Sequence, residues 1–485
     1  MSAAAWLRDR AESLFADDRR LPLLAYGALW AGVLIFVMLV IAPHPWAMQT
    51  SRIDGISAAL RGLQSGEPLL VGRGLDGSLS PVGLSDDLGI YILAPMVGRL
   101  FGMTEAPDMV EALFLLFFVP TVVLAPLAFV RITGSKVGAL FVPIGLVLVV
   151  RSWNSDIYWI AGWTIVTLIP AVMWVDRRWG RWALPALIAI AGLAGIASTI
   201  RAQVGLPVLI AILLALGFRA PWPARLRGGA AILAVVMFAL TSSVVLSQIT
   251  SYRDTHAAPS ARAPAYASGH VVWHNAYIGL GFLPNDRGIW WSDGVSAAAV
   301  LERDPDAPFA SRRYDRVLRT MTLDIVRDDP VDFVVLTAKK ATVVVRWAAA
   351  LLLALILILP WAWRRRRDVI QPLLLLSAPA LLILAVPPLV TVPYRPYTFG
   401  WLGAVALIAV VVLSLAMARM LELLADGVSL RAQVRGALPR SALGRGAVAA
   451  AVAVTVAVAV GGIAVNREAT DWLNTKLSAQ QRSAP

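Results

Sequence analysis

Long apolar runs broken by clusters of arginine recur along this chain, and they constrain its fold more than any motif does. A run of about 20 apolar residues matches the hydrocarbon thickness of a bilayer, and one soluble core has no room for many such runs. Hydrophobic residues are 58% of the 485, and mean hydropathy is +0.71. Both exceed what a water-exposed fold hides. Charged residues, 15% of the chain, fall between the runs instead of along amphipathic faces. The pattern predicts an all-α integral membrane protein of about eleven transmembrane helices. They fall near residues 22–42, 109–130, 137–151, 157–175, 182–200, 203–218, 229–249, 341–362, 369–386, 398–418 and 446–466. The first run is long and ends without a small-residue cleavage site, so it reads as a retained helix and not as a signal peptide.

Basic residues accumulate on the cytoplasmic side of spanning helices. With the N-terminus inside, cytoplasmic segments hold Arg8, Arg10, Arg19 and Arg20, then Arg131 and Lys136, then Arg177, Arg178 and Arg181. Arg219, Arg225 and Arg227 follow, then Arg364 to Arg367, then Arg419, Arg431, Arg435, Arg440 and Arg445. The short outer turns hold one arginine each, Arg151, Arg201 and Arg395. The segments assigned inside account for the whole net charge of +13. Helix-end topology and anionic lipid explain this basicity, so nucleic acid is not an expected partner. Residues 1–21 form a cytoplasmic N-terminus, and residues 22–249 a membrane module with a first outer loop at 43–108. A large outer loop follows at 250–340, a C-terminal membrane module at 341–466 and an outer tail at 467–485.

The two long outer loops are where function is expected. The chain has no cysteine, which excludes disulfides, thiolate nucleophiles and cysteine-bound metals. No internal repeat, P-loop, HExxH or dinucleotide-binding glycine fingerprint is present. The first loop carries two amphipathic helical stretches and three candidate carboxylates. Asp54, about a dozen residues past the first span, is placed to take a proton from an attacking hydroxyl or simply to pair with Arg52. Asp86 and Asp87 repel each other, and such a pair suits a cation, a sugar hydroxyl or an arginine, while a helix N-cap accounts for one of them equally well.

All four histidines, His44, His256, His270 and His274, fall in outer segments. His270 and His274 have the spacing of two ligands on one helix face, but no carboxylate completes a zinc set. Hydrogen bonding to a phosphate or sugar is the stronger expectation for them. Trp273 and Trp290 suit stacking on a pyranose and suit anchoring at headgroup depth as well. Arg201 and Arg395 stand outside without a topological reason, which points to phosphate binding, with snorkelling as the alternative. No cofactor is read from the sequence; a divalent cation beside the paired carboxylates stays open.

One helix, an Asp-containing outer loop, many spans and a later Trp/His-rich outer loop together resemble the C-type glycosyltransferases of bacterial cytoplasmic membranes. The segments that carry the resemblance are SRIDG at Asp54, SDDLGIY at Asp86 and Asp87, and HVVWHNAYIGLGFLPNDRGIWWSDG. The layout covers most of the chain and the motifs about fifty residues. A paired-acid signature beside Asp54 is missing. The resemblance implies a polyprenyl-phosphate-linked sugar as donor, a glycan or lipid of the cell envelope as acceptor, and an acidic residue of the first outer loop as base. Two other readings stand beside it. An O-antigen ligase or polymerase would depend on His274 and arginine, and a lipid-linked-sugar flippase would place ionisable residues deep in several spans.

Overall fold

The computed structural model describes residues 5, 6, 9, 48–83, 87–150, 153, 157–256, 272–425 and 442–483. Among these, eight helices are long and apolar enough to cross a membrane. They are α3 (Ala106–Thr133), α5 (Trp159–Arg177), α6 (Ala183–Ile200), α8 (Ala224–His256), α12 (Pro330–Arg365), the stretch Arg367–Val390, the stretch Arg395–Leu423, and Ala451–Ala479. By composition and length this is a multi-pass membrane protein. Two shorter apolar helices, α4 (Lys136–Val150) and α7 (Leu206–Phe218), coincide with the expected short spans but fall below the roughly 20 residues of a full crossing. The expected first span, 22–42, lies outside the described residues.

Punctuation in the sequence explains the helix limits. Pro107 at the first turn and Asp108 beside it open α3, and Gly134, at φ 73°, closes it in the left-handed conformation. In α12 the Asp329 side chain accepts from the Asp332 amide at 2.9 Å, with Pro330 in the first turn. That cap starts α12 at Pro330, earlier than the hydropathy limit near 341. Likewise α8 continues to His256, and the last helix, α16 (Ala442–Ser483), runs through most of the expected outer tail. A helix ends where its backbone is capped or broken, and an apolar window marks only the part in lipid.

The first outer loop opens with α1 (Thr50–Gln64), folds into a hairpin of β1 (Val71–Arg73) and β2 (Leu79–Pro81), and ends in α2 (Ile90–Phe101). The hairpin pairs Gly72 with Ser80, and it departs from an otherwise helical chain among the described residues. Gly62 of α1 lies so close to the Val71 carbonyl that a Cβ there has no room.

Within the bundle, small residues allow close helix approach, as expected where lipid supplies no hydrophobic drive. Gly162 of α5 meets Gly403 of α15 (Phe399–Ala425) at 3.2 Å from a Cβ position. Around them the rings of Phe114, Phe118, Trp153 and Trp159 are fully buried, with Phe114 edge-on to Trp159 at 5.4 Å.

The second outer segment forms a separate small core from α9 (Val272–Gly279), α10 (Asp293–Arg303) and α11 (Arg312–Asp328), which buries Tyr277, Ile278, Val300, Tyr314 and Leu318. Leu336 of α12 and Ala469 of α16 complete it. Two polar ties bind α12 to its surroundings. Asp332 accepts from Arg287 at 2.9 Å, and the buried Lys340 ammonium donates to the carbonyls of Leu389, Val390 and Thr391 at 3.1, 3.3 and 2.6 Å. Those carbonyls end α14 (Val386–Val390), which follows α13 (Arg367–Ile383), so Lys340 caps a helix C-terminus.

The polar contacts at the two ends of the bundle differ in kind. At one end Asp176 holds Arg219 at 2.6 Å, Arg177 donates to the Asp368 carbonyl at 2.7 Å, and Arg366 donates to the Thr133 carbonyl. All of these residues belong to segments assigned inside. Arg201 and Tyr397 lie at the other end, where the outer segments pack.

Candidate functional site

At that end the residues on either side of the link between the hairpin and α2 are held by neighbouring helices. Arg253, on the outer extension of α8, donates to the carbonyls of Val82 and Gly83 at 3.1 and 3.0 Å. The Gly89 amide donates to the Thr199 carbonyl at 2.8 Å, in the last turn of α6. Between these anchors Asp87 sits at φ 59°, a conformation that Asp tolerates better than most residues at a cost of about 1 kcal/mol.

The turn drives the Asp87 carboxylate inward, where its side chain is 1% exposed. Arg52 of α1 donates to it at 2.8 Å, and Arg201, just past α6, approaches both oxygens at 3.2 and 3.3 Å. Such charge-assisted bonds fix the guanidinium planes. Aromatic rings finish the setting. The Arg201 guanidinium lies 4.8 Å from the Tyr158 ring centre and 5.5 Å from that of Tyr397, and Arg52 lies 5.7 Å from Tyr158. The two tyrosine hydroxyls meet at 3.4 Å. Trp291 packs edge-on against Tyr397 at 6.3 Å.

Arg201 and the two tyrosines border a cavity of about 120 Å³ whose wall is mostly apolar, from residues such as Val204, Leu384 and Pro387, with Gln203, Asn275 and Thr391 as its other polar members. It combines a cation, flat rings, an amide side chain and a hydroxyl. That set suits an anion joined to a polar, ring-shaped group.

The residues singled out from sequence are distributed unevenly around this centre. Arg201 is in it. Asp87 is in it too, but as an acceptor locked between arginines, a poor place for a proton-taking base. Asp54 is on α1, two residues past Arg52; Arg52 is buried, whereas Asp54 is exposed. The pairing of Asp54 with Arg52 weighed as an alternative is replaced by the Arg52–Asp87 bond. Asp86, His270 and His44 lie outside the described residues.

His274 belongs to the small outer core. Its Nε2 lies 3.1 Å from Asp293, and its Nδ1 lies 2.9 Å from the Tyr314 hydroxyl and 3.1 Å from Ser296 Oγ. Ser296 is fully buried and donates to the Asp293 carbonyl at 2.9 Å. With both ring nitrogens engaged, the histidine ties three helices together. Burial pushes the Tyr314 hydroxyl up to about 12. The Trp273 amide donates to Asp315 at 3.0 Å, and its ring lies under Arg319 at 5.9 Å. Trp290 packs its backbone on Gly281, so its neighbour Trp291 is the tryptophan that touches the cavity cluster.

Arg395 is exposed and stacks over Trp347 at 5.3 Å, while Tyr397 on the same tight turn meets Arg201. Tyr158 and Tyr397 carried no motif of their own. The available signal was their position, each flanking an outer turn between spans. Among the described residues no group of three His, Asp or Glu side chains is placed to hold a metal ion. Compared with protein families, with characterised proteins and with solved structures, the chain shows no match.

Proposed function

We propose that this chain is a membrane glycosyltransferase of the C type. It moves a sugar from a polyprenyl-phosphate donor to a cell-envelope acceptor on the non-cytoplasmic face of a bacterial cytoplasmic membrane. The observation that carries the reading is Arg201, held on Asp87 and ringed by tyrosines at the wall of a small, mostly apolar cavity. A guanidinium so oriented suits the phosphate that must leave, and stabilising that charge is the main electrostatic task of such a transfer. The acceptor hydroxyl attacks the anomeric carbon while its bond to the phosphate oxygen breaks. The electron pair departs with the polyprenyl phosphate, and the hydroxyl proton passes to Asp54. Asp87 has a positioning role in this scheme. The ligase reading asks for an available histidine, and the bonds of His274 within the outer core weigh against it.

The reading includes eleven spans, with the N-terminus inside. Because the chain lacks cysteine, a single introduced thiol reports its own side. Ser57→Cys on α1 should react with a membrane-impermeant thiol reagent once any outer barrier is opened, and Arg178→Cys should be protected. The reverse pattern would invert the orientation. Asp54→Asn should lower transfer by about 10²- to 10⁴-fold while donor binding and melting temperature hold. Near-normal turnover would remove Asp54 as base and move the search to Asp86.

A further inference from the structure

A second recessed surface lies in the lipid-facing wall of the bundle, away from Arg201. It is a groove of about 400 Å³ between α3, α4, α5 and α15. Small residues open it, among them Ala125, Ala128 and Ala171. A π-helical turn at Thr164–Leu168 in α5 widens one wall. Its few hydroxyls are already used. Thr121 lies 2.9 Å from Thr167 and donates to the Phe117 carbonyl at 2.9 Å, and Thr133 donates to the Phe129 carbonyl at 2.8 Å. A groove of this kind recognises hydrocarbon and little else.

What distinguishes it from an ordinary lipid-facing furrow is its end. The lining runs down to Ile132, Thr133, Met173 and Trp174. Arg131 adjoins that end and is exposed. Arg177 follows Met173 and Trp174 by one turn on the same helix face. Arg366 donates to the Thr133 carbonyl itself. Of the acids described at this end, Asp176 is neutralised by Arg219, and Asp368 lies 3.5 Å from Arg177 and 3.4 Å from Arg366. The rim is therefore net positive over an apolar slot, which complements a phospholipid of net negative charge.

We infer that this groove holds one acyl chain of an anionic phospholipid, with its phosphate on Arg131, Arg177 and Arg366. The donor is a separate molecule. Tyr158 and Arg177 stand at opposite ends of α5, whose 19 residues span about 28 Å. The inference does not rest on the glycosyltransferase reading.

The test uses the full chain, purified in mild detergent and analysed by native mass spectrometry with phosphatidylglycerol and phosphatidylcholine in competition. The wild type should keep one phosphatidylglycerol and prefer it to phosphatidylcholine. Ala171→Trp and Ala128→Trp, made separately to fill the slot, should lose that lipid at an unchanged melting temperature. Arg131→Gln with Arg177→Gln should keep a lipid but lose its preference, by about fivefold per charge removed. Equal retention of the two lipids by the wild type overturns the proposal even if the filled variants do not fold. So does unchanged phosphatidylglycerol in folded slot-filled variants. Stoichiometric displacement by polyprenyl phosphate would give the groove to the donor and overturn it as well.

Discussion

Among the described residues, each end of the bundle buries a carboxylate against arginine, and the two are built differently. Asp176 and Asp87 both have side chains that are 1% exposed. Asp176 meets Arg219 Nε at 2.6 Å from each oxygen, and the pair joins the ends of α5 and α7. Asp87 is shared by Arg52 and Arg201, and Arg201 also lines a cavity between aromatic rings. The first arrangement is a staple; the second spends a carboxylate on aiming a cation. Burial of a charge therefore does not by itself mark a site. The mark is a charged partner that also faces a space a ligand can enter.

Removing each carboxylate sets the two ends against each other. Asp87→Asn should cost about 3 to 5 kcal/mol by removing the counter-charge of the buried Arg52, and Asp176→Asn less, because Arg219 is 29% exposed. Thermal unfolding in detergent measures this. Only Asp87→Asn should abolish donor-lipid binding by the remaining folded protein. Equal binding by the two variants would erase the distinction.

A second perturbation reaches only the outer end. The Tyr314 hydroxyl has its pKa raised by burial from 10.0 to about 12. The folded state holds the proton more tightly, so the stabilisation is complete below pH of about 10 and disappears as pH rises to about 12. The loss amounts to about 2 to 3 kcal/mol. Phenolate absorbance and unfolding should move together in that window, and Tyr314→Phe should shrink the step to the part that burial of Tyr277 adds. A wild-type phenolate titrating near 10 would show that the outer core is looser than its packing.

Smaller effects separate the two outer arginines. Arg201→Lys keeps the charge but loses the planar fork, and should weaken donor binding by about 1 to 3 kcal/mol. Arg395→Lys, changed at an exposed stack on Trp347, should cost less than about 1 kcal/mol. A larger loss at Arg395 would place it beside Arg201 in the phosphate site.

The apolar runs made the membrane helices legible because a span is long and its signal is local. Partners were not. Asp87 read as half of an acidic pair with several possible partners because adjacency to Asp86 is visible in sequence, whereas the arginines that hold it come from α1 and from the turn after α6, 35 and 114 residues away. His274 read as a ligand for substrate because Tyr314 and Ser296, which occupy its nitrogen, arrive from later helices. The hairpin escaped notice because its strands are only three residues each.

Helix α12 has a mechanical implication. Its 36 residues make a rod of about 54 Å, and residues 330–340 carry about 16 Å of it beyond the roughly 30 Å of hydrocarbon that the apolar stretch would cross. Near its free end Asp332 is tied to Arg287 of the outer core, and two turns further in Lys340 is hooked into the last carbonyls of α14. A rod pinned at two points transmits torque. Any displacement of the small core relative to α14 would have to tilt α12 as a lever or pull the ammonium from its three oxygens.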